Sequence, residues 1–182
     1  MKLVILDRDG VINYDSDDYV KSVDEWLPIE GSAEAIAQLN AAGYTVAVAT
    51  NQSGIGRGYF SKTDLEAMHT KMNRLIVAAG GKIAHLAYCP HVPDDSCDCR
   101  KPLPGMLVEI KHALNVQPND ECWMIGDSLR DLQAGEAAGC KNILVRTGKG
   151  ERTLARSTPS LPANTVIKNN LAHAVRFIVG AK

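Results

Sequence analysis

Short apolar runs alternate with helix-like stretches along almost the whole chain, and no other feature limits the fold as strongly. Residues 2–6 (KLVIL), 44–49 (YTVAVA), 83–88, 122–125 (CWMI), 142–145 (NILV) and 165–167 read as strands. Residues 32–42, 62–79, 105–114, 128–138 and 170–179 read as helices. Gly43, Gly80-Gly81 and Gly139 stop three of them, and Ser61 is placed to cap the second, with Asp64 in its first turn. Cys89 to Pro104 has no periodicity and reads as loop, and 147–164 reads as a surface loop. Strands and helices in this order predict an α/β fold, a single doubly wound parallel sheet with helices on both faces. With no internal repeat and no second periodic block, residues 1–182 are expected to form one domain.

In such sheets the site lies beyond the carboxyl ends of the strands. Asp7 follows the first strand, Thr50 the second, Cys89 the third and Asp127 the fourth, so the chemically suggestive residues fall on one edge. In Asp7-Arg8-Asp9-Gly10 the two aspartates are two apart and can face one site. Carboxylates held together repel, and a hard divalent cation such as Mg²⁺ relieves that through oxygen ligands. Gly126-Asp127 supplies a third carboxylate, and Asp131 stands one helical turn further on. Asp-Gly pairs also end strands for purely local reasons, but two at equivalent strand ends point to a metal site.

The stretch Thr50-Asn51-Gln52-Ser53-Gly54-Ile55-Gly56-Arg57-Gly58 is rich in glycine and hydroxyls. Free N–H groups and the Thr50 hydroxyl suit phosphoryl oxygens, and Arg57 suits a second phosphate. It is not a Walker loop, because the Gly-Lys-Ser/Thr ending is missing. Arg100-Lys101 precedes a proline-braced helix start, where Lys101 could offset the charge between a nucleophile and a phosphoryl group. Cys89, His91, Cys97 and Cys99 gather three sulfurs and an imidazole within eleven residues, the donor set of a closed structural Zn²⁺ site in a loop spanning 89–101. Cys122 and Cys140 read as small buried residues, and His69, His85, His112 and His173 receive no role.

A formal net charge of −1 and no long basic run argue against nucleic acid or an anionic membrane as partner. The apolar stretch from Leu3 to Leu6 is too short for a signal-peptide core or a membrane span, so a soluble, cytoplasmic chain is expected.

Together these motifs resemble the haloacid-dehalogenase-like (HAD) phosphatase superfamily, whose four signatures match here as Asp7-Arg-Asp9-Gly10, Thr50-Asn51, Lys101 and Gly126-Asp127. The TNQSGIGRG loop and the CPH…CDCRKP segment bring the chain nearest to its zinc-loop sugar bisphosphate phosphatases. A histidinol-phosphate phosphatase and a non-catalytic, zinc-stabilised phosphosugar-binding module are the alternatives. The resemblance implies a Rossmann-like HAD fold and a covalent phospho-aspartate. Asp7 would be the nucleophile and Asp9 the acid and base, with Thr50 and Lys101 on the phosphoryl oxygens. Asp7, the Asp9 main-chain carbonyl and Asp127 would hold Mg²⁺, and Asp131 would steady the metal's waters. Asp15, Ser16, Asp17, Asp18, Asn51, Gln52, Ser53, Arg57, Arg100 and Ser128 would contact a small sugar bisphosphate. Several members carry Lys soon after the Gly-Asp pair, where this chain has Ser128 and then Arg130. No insertion is long enough for a cap domain, which leaves the 12–30 loop and the zinc loop to shape the pocket. A monomer is expected.

Overall fold

The computed structural model describes residues 1–156, 158 and 160–180. Its sheet has six strands, β1 (Lys2–Leu6), β2 (Thr45–Asn51), β3 (His85–Cys89), β4 (Glu121–Gly126), β5 (Lys141–Val145) and β6 (Val166–Lys168), in the order β3-β2-β1-β4-β5-β6. Every neighbouring pair is parallel. The helices are α1 (Ser32–Ala41), α2 (Lys62–Ala78), α3 (Gly105–Ala113), α4 (Leu129–Ala137), α5 (Gly150–Ala155) and α6 (Leu171–Gly180).

Side chains alternate across the sheet, so each strand feeds two cores. Val4 and Leu6 face one side with Val46, Val48, Ile125 and Val145, against Ile36 and Leu39 of α1, Met68 and Met72 of α2 and Val175 of α6. Leu3 and Ile5 face the other with Ala47, Ala49 and Met124, against Leu107 and Ile110 of α3 and Ala134 of α4. Both faces are closed by helices, so the strand interiors are largely apolar, with Thr50 of β2 and Asn142 of β5 the buried polar exceptions among the described residues. Each fully buried aliphatic side chain contributes about 1.5–3 kcal/mol. Cys122 and Cys140 are buried in the second core, as expected.

Ser61 caps α2 by accepting from the Asp64 N–H at 3.1 Å, while Asp64 accepts from the Ser61 N–H at 2.8 Å. The structure departs from expectation at 147–164. Gly150–Ala155 is helical, with Gly150 and Thr153 buried. A Cβ on Gly150 would overlap the Val145 carbonyl, and Thr153 is bonded into the site. Tertiary contacts therefore hold a six-residue helix too short to show a period in the sequence. The strand ends shift as well: Thr50, Asn51 and Cys89 are the last residues of β2 and β3, not the first of their loops.

The chain goes from β1 outward to β2 and β3, then returns beside β1 as β4. This reversal leaves a crevice at the carboxyl ends of β1 and β4. The longest connections, 7–31 and 90–104, contain no helix or strand and stand beside the crevice without capping it. Among the described residues no helix is long and apolar enough to cross a membrane.

Candidate active site

β1 and β4 place Asp7 and Asp127 side by side. The Asp7 N–H extends the ladder by donating to the Ile125 carbonyl at 2.9 Å. Asp7, Asp127 and Asp131 each offer an oxygen within 4.8 Å of the others. Lys101 enters from beside β2. Its Nζ lies 3.0 Å from Asp7 Oδ1, 2.7 Å from Asp131 Oδ1 and 2.7 Å from the Ala49 carbonyl. Asp131 Oδ2 accepts from the Asp127 N–H, the Ser128 N–H and the Ser128 hydroxyl at 3.2, 3.0 and 2.8 Å.

The electrostatics follow from burial. Loss of water pushes Asp7 up to about 7, the Asp131 charge adds to this, and Lys101 opposes it. Burial, then Asp131 and Asp7, raise Asp127 as well. For Asp131 burial works upward, but the Lys101 ammonium outweighs it and holds the carboxyl below its usual range. Burial works downward on Lys101, yet Asp131 and Asp7 push it up to about 12. With all three carboxylates ionised against one ammonium, the cluster carries an excess of two negative charges, which a divalent cation with oxygen ligands matches.

The Asp9 carboxylate is not in this group. It accepts from Arg8 Nη2 at 2.9 and 3.1 Å, Asn13 Nδ2 at 2.8 Å and Gln52 Nε2 at 2.7 Å. Burial raises its pKa, but the Arg8 charge and these donors outweigh burial and lower it. Arg8 is itself fully buried, and its Nη1 stands 3.2 Å from His69 Nε2. Burial, then Arg8, depress His69 to about 4, so it stays neutral and accepts. His69, given no role from sequence, thus has a partner in the site's periphery.

Asp127 is also clamped from the β5–α5 side. Lys149 N–H donates to its Oδ2 at 2.7 Å, the Thr153 hydroxyl to its carbonyl at 2.9 Å, and the Thr147 hydroxyl to the Gly10 carbonyl at 2.6 Å. Gly10 and Gly148 meet over this carboxylate, both with positive φ (81° and 58°). A Cβ on either would overlap Asp127 Oδ2, so both conformation and space demand glycine.

These groups line a cavity of about 320 Å³. Asn51, Gln52, Ser53 and Ser128 line it, as expected from sequence. Asp15, Ser16 and Asp17 form an acidic wall, whereas Asp18 does not reach the cavity and braces its own loop, its N–H bonding Ser16 Oγ at 3.1 Å. Thr50 is fully buried behind the lining, its hydroxyl accepting from Gln52 Nε2 at 3.0 Å. Arg57, Arg100 and Arg130 also line the cavity, and among the described residues none has a carboxylate within ion-pair distance. Burial, and the charges of Arg130 and Arg57, pull Arg100 below its usual value. Arg130 and Lys149 were not among the substrate contacts expected from sequence. Arg130 was visible as the basic residue after Ser128, but nothing in the sequence marked Lys149.

Beside the cavity, Cys89, His91, Cys97 and Cys99 come together. Cys89 Sγ lies 3.9 Å from Cys97 Sγ and 3.0 Å from Cys99 Sγ, and His91 Nδ1 lies 3.3 Å from Cys99 Sγ. Tetrahedral Zn²⁺ with sulfur ligands spaces its donors by about 3.8 Å. Four protein donors leave no open coordination position.

A parallel α/β sheet with a strand-end aspartate, a buried lysine and a paired acidic cluster defines a phosphohydrolase of the HAD type, and residues 98–174 match the family model described as HAD-hydrolase-like. The chain is 56% identical over 179 residues to D-glycero-beta-D-manno-heptose-1,7-bisphosphate 7-phosphatase of Neisseria meningitidis, covering 98% of this chain and 95% of that one. It is 54% identical to the enzyme of the same name from Pseudomonas putida, covering 98% and 100%. The crystal structure of D,D-heptose 1,7-bisphosphate phosphatase from B. bronchiseptica, complexed with magnesium and phosphate, superposes with a TM-score of 0.95 at 48% identity, covering all of both chains. The chain belongs to this family of heptose bisphosphate phosphatases within the HAD-like hydrolases.

Proposed function

We propose that this protein is a magnesium-dependent phosphatase that releases the 7-phosphate of D-glycero-D-manno-heptose 1,7-bisphosphate, through Asp7, in the supply of heptose for bacterial lipopolysaccharide. One observation carries the chemistry: Asp7, Asp127 and Asp131 cluster at the strand ends, with the buried Lys101 paired to Asp7 and Asp131, facing a cavity also lined by Arg57, Arg100 and Arg130, none of which has a carboxylate partner among the described residues. The relatives' shared activity carries the substrate. The chain works as one domain, as a cytoplasmic monomer.

Asp7 attacks phosphorus in line. A bond forms from its carboxylate oxygen to phosphorus, and the bond from phosphorus to the sugar oxygen breaks. Asp9 gives its proton to the departing sugar oxygen. The Asp9 carboxylate then takes a proton from water, whose oxygen attacks phosphorus and frees Asp7 and phosphate. The contacts from Arg8, Asn13 and Gln52 favour the anionic, base form of Asp9, so as the acid it must loosen from Arg8. Lys101 orients Asp7 and offsets charge on the phosphoryl oxygens. Asp7, Asp127 and the Asp9 main-chain carbonyl would hold Mg²⁺, whose charge lets an anionic nucleophile approach an anionic phosphate. Arg57, Arg100 and Arg130 suit the distal phosphate, and the acidic wall suits the sugar hydroxyls.

Phosphate release with Mg²⁺ and with EDTA tests the reading. The panel is the heptose bisphosphate in both anomers, histidinol phosphate, fructose 1,6-bisphosphate and a 3′-phosphorylated oligonucleotide. Mg²⁺-dependent preference for the heptose bisphosphate is expected, and preference for histidinol phosphate would overturn the substrate assignment.

The raised carboxylates give the metal a pH signature. Asp7 titrates near 7 in the folded chain against 3.8 unfolded, so the metal-free fold holds the extra proton and loses stability as pH rises through that window. His69 works the other way, because its depressed pKa adds stability as pH rises from about 4 to 6.5. Comparing melting with and without added Mg²⁺, in buffer free of chelator so that the cysteine cluster is untouched, cancels His69 and leaves the carboxylates. The Mg²⁺-induced stabilisation, read through the rise in Tm, should grow between pH 5.5 and 8, by up to about 1.4 kcal/mol per pH unit for each proton displaced. An increment that does not change with pH contradicts the protonation scheme.

The cysteine cluster would bind one Zn²⁺ per chain through Cys89, His91, Cys97 and Cys99, to order the loop that carries Arg100 and Lys101. Strong chelation followed by return of Mg²⁺ should lower Tm by several degrees and expose residues 90–104 to protease. Elemental analysis should show one zinc before and none after. Unchanged melting and protease resistance in the zinc-free protein would sink this role.

A further inference from the structure

The stretch from Thr147 to Thr153 reaches parts of the site that are far apart in sequence. Inward, it bonds the Gly10 carbonyl and both the carboxylate and the carbonyl of Asp127. Outward, Lys149 Nζ pairs with Asp15 Oδ2 at 3.0 Å and Arg152 Nη2 with Asp17 Oδ1 at 2.8 Å. One residue, Lys149, does both, through its backbone nitrogen and its ammonium.

Burial separates the two outward pairs. Arg152 and Asp17 are 60% and 67% exposed, and an ion pair in that setting contributes little. Asp15 is 12% exposed and Lys149 37%, so their pair is shielded on the carboxylate side. The Asp15 charge also faces the site, since it is among the influences raising Asp127. An unpaired carboxylate there would repel an incoming phosphosugar and turn toward water. Paired through Oδ2, it keeps Oδ1 without a protein donor among the described residues, on the cavity wall, where a hydroxyl can donate to it.

We propose that Lys149 is a positioning residue: its ammonium fixes Asp15 as an acceptor for a sugar hydroxyl, while its backbone nitrogen holds Asp127, keeping the sugar wall in register with the phosphoryl site. This rests on the sugar bisphosphate reading. A group that orients the sugar acts on binding of the whole substrate, and little on chemistry at phosphorus once the substrate is bound.

The test compares wild type, Lys149→Met, Lys149→Arg, Asp15→Asn and the double variant Asp15→Asn/Lys149→Met, each with the heptose bisphosphate and with para-nitrophenyl phosphate. Arg146→Met serves as control, since it breaks the exposed Arg146–Glu151 pair beside α5 without touching the wall. Lys149→Met should raise KM for the bisphosphate about tenfold, with kcat within about twofold, equivalent to about 1.4 kcal/mol. The effect on the aryl phosphate should be several times smaller. Asp15→Asn should give the same rise, the double variant no more, and Lys149→Arg should restore most of the loss. Multiplying effects in the double variant would mean that Lys149 touches substrate directly, and would overturn the positioning role. Equal losses on both substrates with a lowered Tm, or an unchanged KM, would overturn it too. Absence of wild-type turnover of the bisphosphate would sink the substrate reading, and the proposal with it. Wild-type turnover with an unaffected Lys149→Met variant would sink the proposal alone.

Discussion

Asp7→Asn leaves a folded protein whose phosphate release has fallen about 10⁴-fold or more, because the carboxamide cannot form the acyl phosphate. The change is isosteric and removes the charge that burial disfavours at this position. Lys101 keeps its shorter contact, 2.7 Å to Asp131, so the ammonium is not stranded. Metal-free Asp7→Asn should therefore melt within a few degrees of wild type at pH 8. Its Mg²⁺-induced rise in Tm should shrink, because one oxygen anion has left the cluster. Phosphate release, thermal melting and acid-quench mass spectrometry for a phosphoryl adduct on Asp7 read the three consequences separately. Residual turnover within about a hundredfold of wild type would overturn the covalent scheme.

Lys101→Met carries the largest expected cost in stability. Lys101 is 1% exposed and is the only ammonium touching both Asp7 and Asp131 among the described residues. Methionine fills the space but strands two buried carboxylates, and breaking a buried pair by removing one partner costs about 3–5 kcal/mol. The sign with pH follows from the carboxylates. Asp131 is held below its usual range by Lys101, so that stabilisation exists above pH 3.8 and is lost only in stronger acid. In the variant the stranded carboxylates take up protons as pH falls, so the deficit should be largest at pH 8 and smaller near pH 5. Denaturant unfolding without added Mg²⁺ at both pH values measures it, and activity should fall about 10²–10³-fold besides. A deficit under about 1 kcal/mol at pH 8 would mean that water, not Lys101, balances these carboxylates.

Much of this was legible before any coordinates. The strand-end rule put Asp7, Thr50, Cys89 and Asp127 on one edge, and the sheet order brings β1, β2 and β4 together there. The Cys89, His91, Cys97 and Cys99 cluster was readable because its donors are close in sequence, so a loop closes on itself with few alternatives. What escaped were contacts between distant segments that leave no local pattern. Gly150–Ala155 is too short for a helical period, and its stability lies in Val145 and Asp127. Lys149 lies 134 positions from the Asp15 it holds, and no spacing rule joins them. Arg8 received no reading from the sequence, yet it is fully buried, a state that Asp9 and the neutral His69 make tolerable.

The two glycines closing on Asp127 bear on the thermodynamics of cation capture. A free aspartate gives up side-chain rotamers when a metal seizes it, and that loss of conformational entropy weakens binding. Between the Gly10 and Gly148 backbones, and bonded to the Lys149 N–H, Asp127 has little torsional freedom left to surrender. The ordering is completed when the chain folds, as the β5–α5 crossing settles onto the turn after β1. Calorimetry should accordingly find cation binding with little entropic penalty from this ligand, and any side chain at position 10 or 148 should restore that penalty by opening the crossing.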